Sequence, residues 1–103
     1  MFSVNAEAAT APFTALSDPA RRRILDLLRQ RDRPVGELVE HLRLSQPGVS
    51  KHLRVLREAG LVRVRRAGNH RYYQADRERI AELRSALEAF WGDRLATALE
   101  GPP

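Results

Sequence analysis

Ser45-Gln-Pro-Gly-Val-Ser-Lys-His-Leu-Arg-Val-Leu-Arg-Glu-Ala-Gly-Leu-Val-Arg-Val-Arg-Arg-Ala-Gly-Asn-His-Arg-Tyr-Tyr-Gln74 divides into three pieces. The first is a helix. Ser45 suits the N-cap, where its hydroxyl accepts an orphan amide of the first turn, and Pro47 is tolerated because it lies in that turn. Val49, Leu53 and Leu56 recur at i, i+4 and i+7 and predict one core-facing stripe. Pro47, Ser50, Lys51 and Arg54 then point away from the core, and Gln46 opens the helix. Gly48 weakens the helix by about 0.5–1 kcal/mol relative to Ala but would allow close approach to a groove. The second piece is a stop at Glu58-Ala59-Gly60, with Gly60 suited to the left-handed region. The third is a hairpin. Val62 and Val64 alternate with Arg63 and Arg65 as in a half-buried strand, Ala67-Gly68-Asn69 turns, and Arg71 to Gln74 returns.

Charge marks the same stretch. The chain has 103 residues and a net charge of +5. Residues 43–74 hold eight cations (Arg43, Lys51, Arg54, Arg57, Arg63, Arg65, Arg66 and Arg71) against Glu58 alone, a local +7. Residues 75–103 hold four arginines against six acids, a local −2. A cationic helix followed by a cationic hairpin is the electrostatic footprint of a polyanion binder. A solvated basic surface is the plainer alternative for charge taken alone. Nearly all the cations are arginine, which suits bidentate contacts to phosphate and guanine.

The flanks look built to hold this element. The length predicts a single domain, 1–103. A chain this short buries only roughly 60–65% of its unfolded surface, so a dimer would enlarge a marginal core. Residues 1–9 read as a loose lead-in. Residues 10–17 predict a short helix opened near Pro12 and carrying Phe13 and Leu16. Asp18 as N-cap and Pro19 at the first helical position start a second helix, with Ile24, Leu25, Leu27 and Leu28 on one face. Arg31-Asp32-Arg33-Pro34 ends it. Gly36 to Leu42 forms a short third helix with Leu38, Val39 and Leu42 inward, and Arg43-Leu44 is the turn before Ser45. Asp76 caps a long last helix over 76–99. Its apolar positions are Ile80, Leu83, Leu87, Phe90, Trp91, Leu95 and Leu99, with five alanines among them. This stripe is broader than one small core needs, which points to a dimer interface. An effector pocket lined by Phe90 and Trp91 is the other use for it. Gly101 to Pro103 should fray.

The order helix, helix, short helix, turn, capped helix, basic hairpin, long helix is a winged helix-turn-helix. The class is mostly α with a small β-hairpin, α-α-α-α-β-β-α, and dimeric. The helix-turn-helix spans 36–59 and the wing 61–74. Phe13-x-x-Leu16-Ser17-Asp18-Pro19-x-Arg21-Arg22-x-Ile24-Leu25 resembles the opening of the arsenic-repressor (ArsR/SmtB) family of bacterial transcriptional regulators. So does Val35-Gly36-Glu37-Leu38, followed by Leu44-Ser45-Gln46-Pro47-x-Val49-Ser50-Lys51-His52-Leu53-x-x-Leu56-x-x-Ala59-Gly60-Leu61-Val62. The resemblance runs from about Phe13 to Leu99. It implies a cytoplasmic, sequence-specific DNA-binding regulator, most often a repressor. Such a protein is a homodimer joined through its first and last helices, with a recognition helix in each major groove of an inverted repeat and a wing on the flanking backbone. Members usually leave DNA on binding an effector; an effector of this chain, if it has one, would be a small molecule or a protein.

Two departures matter. Metal-sensing members carry a Cys-x-Cys pair in the third helix, or Asp, His and Glu ligands on the last. This chain has no cysteine and no histidine in the last helix, and His41, His52 and His70 lie on three different elements. No metal and no cofactor is expected, and Phe90-Trp91-x-x-Arg94-Leu95 resembles a subgroup without metal sites. Arg43 stands where the family usually has glycine. If that position is left-handed, Arg costs roughly 1 kcal/mol there, although it would sit close to backbone phosphates.

The expected DNA-reading set is Gln46, Pro47, Ser50, Lys51, His52 and Arg54. Arg54 or Lys51 suits guanine O6 and N7, Gln46 suits adenine, and Ser50 suits phosphate. His52 flanks the apolar face, where it would bond a phosphate or cap a carbonyl. Arg43, Arg65, Arg66, Asn69, His70 and Arg71 are the wing and flank candidates, against a solvated hairpin tip. Tyr72 and Tyr73 should face opposite ways. Arg21, Arg22 and Arg23 crowd a helix start that is already positive, so salt bridges to Asp26 or Glu7, or backbone phosphates, are expected to compensate. Phe13, Leu16, Ile80, Leu83, Leu87, Phe90, Trp91, Leu95 and Leu99 are the dimer-interface set. No nucleophile with a base, phosphate loop or carboxylate pair marks an enzyme. No apolar run approaches the roughly 18 residues of a membrane span, and with Glu7 and no basic start a secretory signal is not expected. The alternative function is a winged protein-interaction module that does not read DNA.

Overall fold

The computed structural model of the chain describes residues 11–100, with the side chains of residues 90, 91, 93, 95, 96, 99 and 100 left aside. The expectations for 1–9 and for Gly101 to Pro103 lie outside these residues. Residues 11–16 form α1. It is followed by α2 (Pro19–Gln30), α3 (Val35–Leu42), α4 (Gln46–Glu58), β1 (Val62–Ala67), β2 (His70–Ala75) and α5 (Arg77–Glu100).

The helix starts follow the capping residues. The Asp18 carboxylate accepts from the amides of Ala20 and Arg21 at 2.8 and 3.3 Å, with Pro19 opening α2. Partial desolvation pushes the Asp18 pKa up. The two amide bonds, together with Arg21 and the protonated form of His52 at the low pH where the carboxyl titrates, outweigh it, and the net shift is downward. A carboxylate with a lowered pKa stabilises the fold above its unfolded pKa. That contribution is lost as pH falls through the folded value. Ser45 Oγ accepts from Gly48 N at 3.1 Å to cap α4, and Asp76 Oδ1 accepts from Arg79 N at 3.1 Å to cap α5. The third helix begins at Val35, one residue before the expected Gly36, because Pro34 takes the N-cap position. Gly48 has a local reason for its identity. A Cβ there would come 3.1 Å from the Ser45 hydroxyl that its own amide engages.

The core lies among α2, α3 and α4 and under the base of the hairpin. Ile24, Leu28, Leu38, Val49, Leu53, Leu56 and Leu61 are its largest fully buried side chains. Ala59, Val62 and Ala75 close it toward the wing, and Ala15 closes it toward α1. Val49, Leu53 and Leu56 are each 1% exposed or less, which establishes the phase of α4.

The hairpin is antiparallel, with Val62 opposite Ala75 and Ala67 opposite His70. Gly68 and Asn69 alone form the loop, so Ala67 belongs to the strand rather than the turn. Gly68 has φ +62° and Asn69 is not left-handed, the pattern of a type II′ turn with glycine first. Gly-Asn order is therefore the one this turn requires.

One packing element was not anticipated. The Arg31 to Pro34 stretch does more than end α2. Arg33 N donates to Tyr73 O at 3.1 Å and Tyr73 N donates to Arg33 O at 2.8 Å, so the α2–α3 link pairs with the wing base as a one-residue third strand. The Arg33 side chain is 5% exposed. Its guanidinium donates to Leu27 O (3.0 Å), Gln30 Oε1 (2.8 Å), Glu37 Oε2 (3.4 Å) and His41 Nε2 (3.3 Å). A buried cation is tolerable when its donors are satisfied in this way. The result fixes the wing to both helices beneath it.

Helix α5 meets the core through Ile80 and Leu83, and Arg77 donates to Arg29 O at 2.6 Å at its start. Every described side chain beyond Leu83 is exposed, including the apolar Ala86, Leu87, Ala89 and Ala98.

Candidate nucleic-acid interface

The outward side of α4 carries the expected residues. Gln46, Pro47, Ser50, Lys51 and Arg54 are all exposed. Gln46 lies two turns before Leu53, in phase with the core stripe. It is exposed because it stands at the first helical position, beyond the core it would otherwise face. It therefore extends from the end of α4 rather than from the middle of its outer side.

His52 sits elsewhere. It is half-buried, with Nδ1 3.3 Å from Arg21 Nη1. Arg21 and Arg22 also find partners other than those expected. Arg21 Nε donates to Ala15 O at 2.7 Å, and Arg22 Nη1 donates to Leu16 O at 2.8 Å. The carbonyls at the end of α1, the negative end of a helix dipole, offset the crowding that Asp26 was expected to relieve. Asp26 pairs with Arg29, and Glu7 lies outside the described residues.

The turn before α4 contains the departure from the family pattern. Arg43 has φ +55° and ψ +37°, left-handed, and its amide closes α3 on Val39 O. Arginine there costs roughly 1 kcal/mol relative to a glycine. Arg43→Gly should therefore raise thermal stability by about that amount while weakening DNA binding, because an exposed cation beside α4 is lost. Thermal melts and a binding titration on the same variant would show both effects. A variant that gains no stability would contradict the strain argument.

The wing divides into two faces. Val62, Val64, Tyr73 and Ala75 face the core side, and Arg66 and Arg71 continue that face beyond the core at the tip. They stand directly opposite each other in the register. Like charges placed so are unfavourable without a counter-charge. On the other face Arg65 Nε donates to Asp32 Oδ2 at 3.0 Å, and its guanidinium lies 4.8 Å from the Tyr72 ring centroid. Arg65 is thus neutralised and stacked at the wing base, while Tyr73 packs on the core. Asn69 and His70 are exposed at the tip, where the His70 ring is 6.3 Å from Tyr72. Arg63 is paired with Asp76 at 3.6 Å.

Within residues 43–74 the cations fall into two groups by partner, Arg63 and Arg65 being paired and the rest not. Arg21, Arg29, Arg31, Arg33, Arg63, Arg65, Arg79 and Arg84 are ion-paired. Of the eight cations in residues 43–74, Arg43, Lys51, Arg54, Arg57, Arg66 and Arg71 are exposed and form no ion pair among the described residues, while Arg22, Arg23 and Arg77, also exposed without an ion pair, lie apart on α2 and α5. These six run from the turn, along α4, to the wing tip. Arg57 was missed in the expected set. With Arg54, Glu58 and Val62 it lines a shallow cleft of about 480 Å³ between α4 and the wing. Its position one turn after Arg54 was the available signal. Such a strip suits an extended polyanion, since its cations need not break internal pairs to bind. Among the described residues no group of three metal-ligating side chains comes together, and no helix is long and apolar enough to cross a membrane.

A capped helix with an outward cationic face, preceded by a short helix and followed by a basic hairpin, defines the winged helix-turn-helix class of DNA-binding domains. Residues 18–64 match the family of bacterial regulatory proteins named for arsR. The chain is 47% identical over 77 residues to the HTH-type transcriptional regulator Rv2034 of Mycobacterium tuberculosis, covering 75% of this chain and 72% of that one. It is 44% identical over 61 residues to the transcriptional repressor SdpR of Bacillus subtilis, covering 59% and 68%. The homodimeric winged helix-turn-helix DNA-binding domain Mb0332 of Mycobacterium bovis, solved in solution, superposes with a TM-score of 0.73 at 28% identity, covering 90% and 86%. The chain belongs to the ArsR family of transcriptional regulators. It is a DNA-binding regulator and not an enzyme.

Of the expected dimer set, Phe13 and Leu87 are 40% and 39% exposed. Leu16, Ile80 and Leu83 are partly covered by the chain's own core. The side chains of Phe90, Trp91, Leu95 and Leu99 lie outside the described residues.

Proposed function

We propose that this chain is a cytoplasmic repressor that binds an inverted-repeat operator as a homodimer. In this reading α4 enters the major groove, with Gln46, Pro47, Ser50, Lys51 and Arg54 toward the bases and nearest phosphates. Arg43 and Arg57 flank it, and Arg66, Asn69, His70 and Arg71 meet the backbone beside the groove. The observation that carries the reading is the contiguous strip of six exposed cations without ion-pair partners that runs from the turn along α4 to the wing tip. Pairing of two subunits rests on the exposed apolar side of α5 and on Phe13, with a homodimeric relative in support. The name of the SdpR relative supports repression.

Salt tests this most simply. Six to ten phosphate contacts per dimer should cost about 10³–10⁵ in affinity between 50 and 200 mM salt, through counterion release. Fluorescence anisotropy with a labelled duplex would measure it. A flat response across that range would contradict the proposal.

A further inference from the structure

The Arg21 guanidinium joins three segments. Its Nε donates to Ala15 O at 2.7 Å and its Nη2 to Thr14 O at 3.3 Å, both in α1. Its Nη1 lies 3.3 Å from His52 Nδ1 on α4 and 3.9 Å from Asp18 Oδ2, the cap of α2. Arginine has no acceptor and stays protonated, so the contact to His52 runs one way. Arg21 donates, the Nδ1 lone pair accepts, and the histidine proton rests on Nε2. The guanidinium is planar and presents its donors as a rigid fork. A shift of the end of α1 must therefore move α4 or break one of these bonds. Thr14 adjoins the exposed Phe13, and His52 adjoins Lys51, so the fork runs from the apolar surface of α1 to the cationic face of α4 in a single side chain.

We propose that Arg21 and His52 are positioning residues for operator recognition. His52 seats the recognition helix against Arg21, and Arg21 refers that seat to α1. This rests on the reading that α4 enters the groove and that α1 lies at the subunit interface. It removes His52 from the expected DNA-contact set and gives it a different task. A histidine that touched phosphate would add to every DNA complex alike. A histidine that sets the angle of α4 acts where base edges must be met in register, and so acts on specific complexes alone.

The test is a comparison of specific and non-specific binding. Affinities of the wild-type protein, His52→Ala and His52→Asn would be measured for a duplex selected from random sequence and for an unrelated duplex, at one salt concentration. Melting temperature and sedimentation of each variant would accompany them. His52→Ala should lose at least about fivefold in affinity for the selected duplex and keep its affinity for the unrelated one. His52→Asn should restore discrimination, because Asn Oδ1 can take the place of Nδ1 and accept from Arg21. In a double-mutant cycle, His52→Ala should cost little once Arg21→Gln is present. Nitrogen chemical shifts of the wild-type protein should show Nδ1 unprotonated and Nε2 protonated. Equal losses on both duplexes would reassign His52 to phosphate contact and overturn the inference. So would unchanged discrimination in His52→Ala, or failure of asparagine to do better than alanine. A wild-type protein that does not discriminate between the duplexes at all would overturn the DNA-reading function itself, a separate result.

Discussion

Replacing Arg54 with alanine should weaken operator binding by about 5- to 150-fold, equivalent to about 1–3 kcal/mol for loss of a bidentate base contact. Arg54 is exposed and, like Lys51, has no ion-pair partner among the described residues. Its truncation leaves no internal charge unpaired, so the folded protein should melt as before. Arg65→Ala makes the contrast. It would strip Asp32 of a 3.0 Å partner and Tyr72 of its stacked guanidinium, and should disturb the wing before it disturbs any DNA contact. Lys51→Ala should behave as Arg54→Ala does if it reads a base. If it meets phosphate instead, binding should weaken on every sequence and the salt dependence should become shallower. Anisotropy titrations at one salt concentration separate these outcomes. Unchanged affinity in both variants would remove the outward face of α4 from the interface.

Leu53→Ala should cost about 2–5 kcal/mol of folding stability, the range for deleting a buried leucine. Leu53 is 1% exposed between Val49 and Leu56. The loss is large against the roughly 5–15 kcal/mol that holds a typical domain together. Each kcal/mol lowers the melting midpoint of a domain this size by about 4–8 °C. Melts should be compared at one protein concentration, because a dimer links stability to concentration. The two predictions depend on each other. Lys51 and Arg54 point outward because Leu53 points inward, and a Leu53→Ala variant that melts normally would displace the whole reading face.

The α4 helix was legible because three independent local signals agreed. Ser45 capped it, Pro47 fitted the first turn, and a branched apolar residue recurred at helical spacing. The long-range contacts were not legible. Nothing local marks Arg33 as the buried arginine among seventeen. Its burial depends on Tyr73 and His41, brought beside it by the packing of α3 and the wing. The flank of the apolar face suggests a phosphate or a carbonyl as the partner of His52, yet the ring nitrogen meets Arg21, 31 residues earlier. Arg65 alternates with Val64 like any outward strand residue, and only the tertiary position of Asp32 turns it into a paired group. Local propensity and period thus located the elements, while the partners of each charge needed the fold. The sorting of cations into paired and unpaired came only from structure, and it narrowed a local charge of +7 to six arginines and lysines along one strip.

Selection from random duplex DNA with the purified protein would show whether the outward face of α4 reads sequence. The expected result is enrichment of an inverted repeat whose half-sites lie about 10–10.5 base pairs apart, one helical turn, or a multiple of that. Lys51→Ala with Arg54→Ala should abolish the enrichment. Failure of the wild-type protein to enrich any sequence, with intact fold and dimer, would contradict the account and leave a winged interaction module in its place.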